Sequence, residues 1–83
     1  MNIGRKIYYD CSTGIILWDL GERSGNVTPT TYEQDLSVMP LLGVLQSKNQ
    51  LGTLQLNYGD YSSNFQSCKG YYINVADSSI VFL

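Results

Sequence analysis

At 83 residues the chain has room for a single domain, and it carries 43% hydrophobic but only 14% charged residues, where a typical globular domain has about 25% charged. Its net charge is −2, and its five basic residues, Arg5, Lys6, Arg23, Lys48 and Lys69, are scattered apart from the first pair. No basic stripe is therefore available to neutralise phosphates, which argues against nucleic-acid binding. The longest apolar run, Ile15-Ile16-Leu17-Trp18, falls far short of the roughly 20 residues that span a bilayer, so no membrane partner is expected.

The residues Lys6-Ile7-Tyr8-Tyr9-Asp10 read as a strand, rich in β-branched and aromatic side chains. A second strand follows over Gly14-Ile15-Ile16-Leu17-Trp18-Asp19-Leu20. Asp10 starts the turn between them, and Gly14 supplies the positive φ that closes a bulged hairpin. Gly21-Glu22-Arg23-Ser24-Gly25-Asn26 reads as a loop. Thr30 with Glu33, or Thr31 with Gln34, provides a capping box for a helix over about 32–45. Tyr32, Leu36, Met39 and Leu42 or Gly43 trace its apolar side. Pro40 lies inside that pattern and either kinks the helix or splits it.

Beyond a polar loop at 47–50, Leu54, Leu56 and Tyr58 alternate with Thr53, Gln55 and Asn57. That is the pattern of a strand with one buried face, and it places Leu56 in the main core. Gly59-Asp60 is read as the start of a second helix bearing Tyr61, Phe65 and Cys68 at i, i+4, i+7, with Gly70 just past its end. A last hairpin pairs Tyr71-Tyr72-Ile73-Asn74-Val75 with Ile80-Val81-Phe82-Leu83. The order ββ-α-β-α-ββ implies an α+β domain. The expected architecture is a small, mainly antiparallel sheet built from two hairpins and a central strand, with two short helices on one face.

The chemistry-bearing residues are sparse. The chain has no histidine, so Ser-His and Cys-His nucleophile pairs are absent. Its seven acids fall mostly in turns and caps, among them Asp10, Asp60 and Asp77. Two cysteines, Cys11 and Cys68, without histidine cannot complete a structural zinc site. With no long apolar leader at the start of the chain, both thiols are expected free, as is usual in a reducing cytoplasm. The expectation is a non-enzymatic protein with no cofactor and no metal.

Seven tyrosines are the most unusual feature of the composition. Adjacent strand residues point to opposite faces, so Tyr8-Tyr9 and Tyr71-Tyr72 each send one ring inward and one outward. The reading puts Tyr9 with Ile7 toward the helices, and Tyr8 and Tyr72 on the outer face. Trp18 is placed on one side with Ile16 and Leu20, and Ile15 and Leu17 on the other. Tyr8, Tyr72, Trp18, Glu22 and Arg23 are the resulting candidates for a partner-binding surface.

Ile3-Gly4-Arg5-Lys6-Ile7-Tyr8-Tyr9-Asp10, then Thr13-Gly14, Asp19-Leu20-Gly21-Glu22-Arg23-Ser24-Gly25, Glu33-Gln34-Asp35 and Leu54-Gln55-Leu56-Asn57-Tyr58-Gly59 together resemble the XkdW-like small proteins of Gram-positive phages and defective prophages. This chain departs from that pattern at Cys11, Trp18, Pro40 and Leu41-Leu42, where charged residues are usual. Genes of that family typically lie beside tail-fibre and baseplate genes. The resemblance implies a phage tail protein with a structural or assembly role, partnered by a tail-fibre or baseplate protein or by a second copy. It implies residence in the bacterial host cytoplasm during assembly and then in the virion tail. The alternatives are a carbohydrate- or host-surface-binding module and a fibre-assembly chaperone absent from the virion.

Overall fold

A computed structural model describes residues 2–26 and 28–83. The domain is α+β, and its described residues form seven strands and three helices. The strands are β1 (Asn2–Ile3), β2 (Lys6–Asp10), β3 (Ile16–Asp19), β4 (Arg23–Ser24), β5 (Leu51–Gln55), β6 (Tyr71–Asn74) and β7 (Ser79–Phe82). The helices are α1 (Tyr32–Val38), α2 (Leu41–Ser47) and α3 (Ser62–Ser67). Every strand pair is antiparallel. The sheet is not continuous, however. A central sheet runs β3-β2-β5, and β1-β4 and β6-β7 are separate two-stranded ribbons.

The first hairpin forms as its turn chemistry dictates. The Asp10 carbonyl accepts from the amides of Thr13 and Gly14, and Gly14 takes φ +82°. A register shift between Tyr8 and Tyr9 pairs Tyr8 with Trp18 and Tyr9 with Ile16. Leu17 is the extra residue of a bulge. Ile16 consequently shares the face of Tyr9 and not that of Trp18, contrary to simple alternation.

Pro40 splits the first helical segment in two. Thr31 and Gln34 make the capping box of α1: the Thr31 hydroxyl accepts from the Gln34 amide at 3.2 Å, and the Gln34 side-chain oxygen accepts from the Thr31 amide at 2.8 Å. The start of α3 differs from expectation. Tyr61, with φ +58°, precedes its first turn, and the Asp60 carboxylate instead accepts from the Asn57 amide. Nor does Gly70 end the helix in a left-handed conformation, since Cys68 leaves it in an extended one.

The core centres on β2 rather than β5. Ile7, Tyr8, Tyr9, Leu42 and Ile73 are buried. Leu56 is half-buried and Tyr58 exposed, because β5 ends at Gln55 and the chain turns away. Tyr9 lies across Gly52, its partner in β5. A β-carbon at that glycine would overlap the ring, so the missing side chain makes room for the aromatic one.

The central sheet is covered on both faces. Lys6 and Tyr8 face α1, where they meet Asp35 and Tyr32. Arg5, Ile7 and Tyr9 have the opposite parity. On their side the Arg5 guanidinium stacks 3.9 Å over the Phe65 ring of α3, and Tyr71 of β6 donates to Asp19. Phe65, Tyr71, Phe82 and Tyr61 form an aromatic cluster, with Phe65 edge-on to both Tyr71 and Phe82. The expectation of helices on one face is thus corrected: α1 lies on one side, and α3 with the last hairpin on the other.

Candidate functional site

Two charge networks hold these layers together. On the α1 side, the Asp35 carboxylate, only 2% exposed, accepts from the Lys6 ammonium at 2.6 Å and from the Tyr8 hydroxyl. Lys6 also donates to the Thr30 carbonyl and hydroxyl, each at 3.1 Å. Burial by itself would raise the Asp35 pKa. The hydrogen bonds from Lys6 and Tyr8 outweigh it and hold the carboxyl below the usual range. Burial and the Asp35 acceptor push the Tyr8 phenol well above its ordinary value. On the other side, Asp19 accepts from Arg5 at 2.7 Å and from Tyr71. Burial, and then that bond, likewise raise the Tyr71 phenol.

The structure separates the five candidate partner-binding residues. Tyr8 is 1% exposed and stacks with Trp18 and Tyr32. Its hydroxyl finds an acceptor only on the α1 side, so it is a core residue and not an outward anchor. Tyr72 is exposed, on the last hairpin. The Glu22 carboxylate accepts from the Gly59 amide and so ties the connection between β3 and β4 to the turn between β5 and α3. Arg23, expected in a loop, lies in β4 and pairs with Ile3.

Trp18 and Arg23 do come together. With Asp19, Leu20, Thr30, Gln34, Asp35 and Val38 they line a cleft of about 340 Å³ between β3, β4 and α1. That volume is at the lower end for ligand sites, roughly 300–1,000 Å³. Both carboxylates in its wall are already neutralised by the networks above. Arg23 has no carboxylate partner among the described residues, and its buried Nε has no hydrogen-bond acceptor. The Arg5 Nε is likewise buried without an acceptor, so what sets Arg23 apart is the missing ion pair: among the described residues it is the one ionic group lining the cleft without a charged partner.

Asp35 was missed by sequence reasoning, although a signal was present. It sits at i+3 from Tyr32 and at i−4 from Met39, inside the apolar stripe of the helix. An acid in that position needs a cationic or donating partner across the interface. Among the described residues, no group of three His, Cys, Asp or Glu side chains is arranged to hold a metal ion, and no helix is long and apolar enough to cross a membrane. Cys11 is exposed and Cys68 half-buried, and both thiols are free.

Three large apolar side chains of the helical segment are uncovered, one of them in the cleft wall. Val38 at its rim is 71% exposed, and Leu41 and Val44, one turn apart on α2, are 51% and 49% exposed. No family model, no curated protein and no solved structure matches this chain.

Proposed function

We propose that this chain is a non-enzymatic assembly module of a phage tail, associated with the tail fibre or baseplate. The observation that carries the reading is the set of uncovered apolar side chains Val38, Leu41 and Val44, the first of which also lines the cleft. Uncovered apolar groups of this size on a small domain suit a surface that a partner covers. The phage context rests on the resemblance of the first hairpin and the Gly21–Gly25 segment. Most of the charged residues in those stretches serve the fold itself: Arg5 and Lys6 pair with Asp19 and Asp35, and Glu22 holds Gly59.

The test is co-expression with the fibre and baseplate proteins encoded beside the chain, together with mass spectrometry of purified particles. Leu41→Asp and Val44→Asp are expected to abolish co-purification while shifting folding stability by no more than about 0.5 kcal/mol, as is usual for exposed positions. A wild-type chain that binds neither protein and is absent from particles would overturn the reading. Copurification without presence in the particle would identify an assembly chaperone. A second reading, a carbohydrate- or host-surface-binding module, draws on the exposed rings of Tyr58, Tyr61 and Tyr72. Binding on a glycan array that is lost in Tyr72→Ala would favour it.

A further inference from the structure

The cleft between β3, β4 and α1 is more selective than the exposed apolar residues of α2. One wall is Trp18 and Leu20, Val38 forms part of the other, and Arg23 reaches it from β4. Its two acids are each held by a cation and a phenol: Asp19 by Arg5 and Tyr71, Asp35 by Lys6 and Tyr8. With those charges compensated, the cleft's uncompensated charge among the described residues is the positive one of Arg23, which lines it and forms no ion pair. Guanidinium groups pair with carboxylates through parallel N–H···O bonds, more strongly than with neutral acceptors. The occupant therefore carries a carboxylate flanked by apolar groups. Because Val38 in the cleft wall is itself 71% exposed, the cleft is open at that end and admits an occupant that continues past it as a chain.

We propose that this cleft is the docking site for an extended segment of a partner protein in which an aspartate or glutamate lies beside apolar side chains. The carboxylate accepts from the Arg23 guanidinium, and the apolar groups rest on Trp18, Leu20 and Val38. The proposal rests on the reading of the protein as a binding module and specifies the chemistry of what it binds.

Trp18 is the sole tryptophan of the chain, so its emission reports occupancy of the cleft directly. The experiment selects a displayed library of random dodecapeptides on the full chain and titrates the enriched peptides while Trp18 fluorescence is followed. Enriched peptides are expected to pair an acidic residue with leucine or an aromatic residue, and to shift Trp18 emission. Affinity is expected to fall at least tenfold in Arg23→Gln, and equally when the peptide's acid is replaced by its amide. Lys48→Gln, a change at an exposed lysine at the end of α2 and outside the cleft lining, is expected to leave it unchanged. Arg23→Lys, which keeps the charge and loses the planar fork, is expected to fall between the two and guards against a folding defect in Arg23→Gln. Failure to enrich any peptide, enrichment of peptides without an acid, or undiminished binding to Arg23→Gln would each overturn the proposal. Peptides that bind Arg23→Gln normally but fail on Val44→Asp would overturn the cleft while leaving the assembly reading intact. Loss of fibre and baseplate association with peptide binding preserved would do the reverse.

Discussion

Asp35→Asn is expected to lower folding stability by about 3–5 kcal/mol at neutral pH, the usual cost of removing one partner from a buried ion pair. The whole stability of a small domain is only about 5–15 kcal/mol, so much of the margin depends on this one carboxylate. The substitution leaves the Lys6 ammonium largely enclosed with no counter-charge, and deprives the Tyr8 hydroxyl of an ionised acceptor. Lys6→Met combined with Asp35→Leu removes both charges, and should recover a large part of the loss because no unpaired charge is left behind. Urea denaturation of the wild type and the variants measures both effects. A double variant no better than Asp35→Asn would show that the pair itself, and not the orphaned lysine, sets the cost.

The same group gives the protein an acid dependence of defined sign. The Asp35 carboxyl is held below its ordinary range in the folded state, so the unfolded chain binds the proton more readily. Its contribution is present in full above about pH 4, near the pKa of an unfolded aspartate, and is lost as pH falls through the folded value. Asp10 and Asp77 shift in the same direction, chiefly through hydrogen bonds from the Ser12 and Ser79 side chains. Wild type and Asp35→Asn should therefore converge in stability as pH is lowered through that window, with a residual slope from the two turn aspartates. A gap that stays constant from pH 7 to pH 3 would assign the effect to packing.

The second large effect is expected at Gly14. This residue lies at φ +82°, where a side chain costs about 1–2 kcal/mol. A β-carbon there would also overlap the Ile73 carbonyl oxygen of β6, adding about 1–3 kcal/mol for the forced shift. The Gly14 carbonyl accepts from the Ile73 amide at 2.9 Å, the backbone bond that joins the first hairpin to the last. Gly14→Ala should therefore loosen the β6-β7 ribbon and its aromatic cluster from the central sheet. Gly21→Ala, at φ +70° with open space around the added carbon, serves as the control and carries the backbone cost alone. Equal destabilisation of the two variants would show that the contact with Ile73 contributes nothing.

Much of the fold was legible in local chemistry. Asp10 with Gly14 specified the first turn, Thr31 with Gln34 the start of α1, and Pro40 the break after it. Long-range placement was less accessible. The parity of Tyr8 and Tyr9 was clear, but which face met α1 depended on Asp35, since a phenol seeks a buried acceptor that no strand pattern reveals. The bulge at Leu17 moved Ile16 to the other face, and one inserted residue of that kind is invisible to alternation. Leu56 looked central because alternation was cleanest around it, yet the chain leaves the sheet at Gln55. Of the candidate site, Trp18 and Arg23 were identified without the means to bring them together. Arg23 owes its position to a two-residue pairing with Ile3, too short to leave a signal in sequence.

The dipeptide Arg5-Lys6 gives the assembly of the domain an order in time. Arg5 finds its acid 14 residues away at Asp19, Lys6 finds its own 29 away at Asp35, and Asp19 receives Tyr71 from 52 residues away. Loop-closure entropy rises with separation, and contacts distant in sequence form more slowly. The first hairpin therefore closes earliest, α1 docks on it next, and the carboxyl-terminal ribbon arrives last on a surface already built. During synthesis the chain emerges in that same order. Pulse-labelled hydrogen exchange reads this at the Ile73 amide, whose acceptor is the Gly14 carbonyl of the first hairpin: it gains protection after the amides of β2 and β3, and simultaneous protection would contradict the sequence of events.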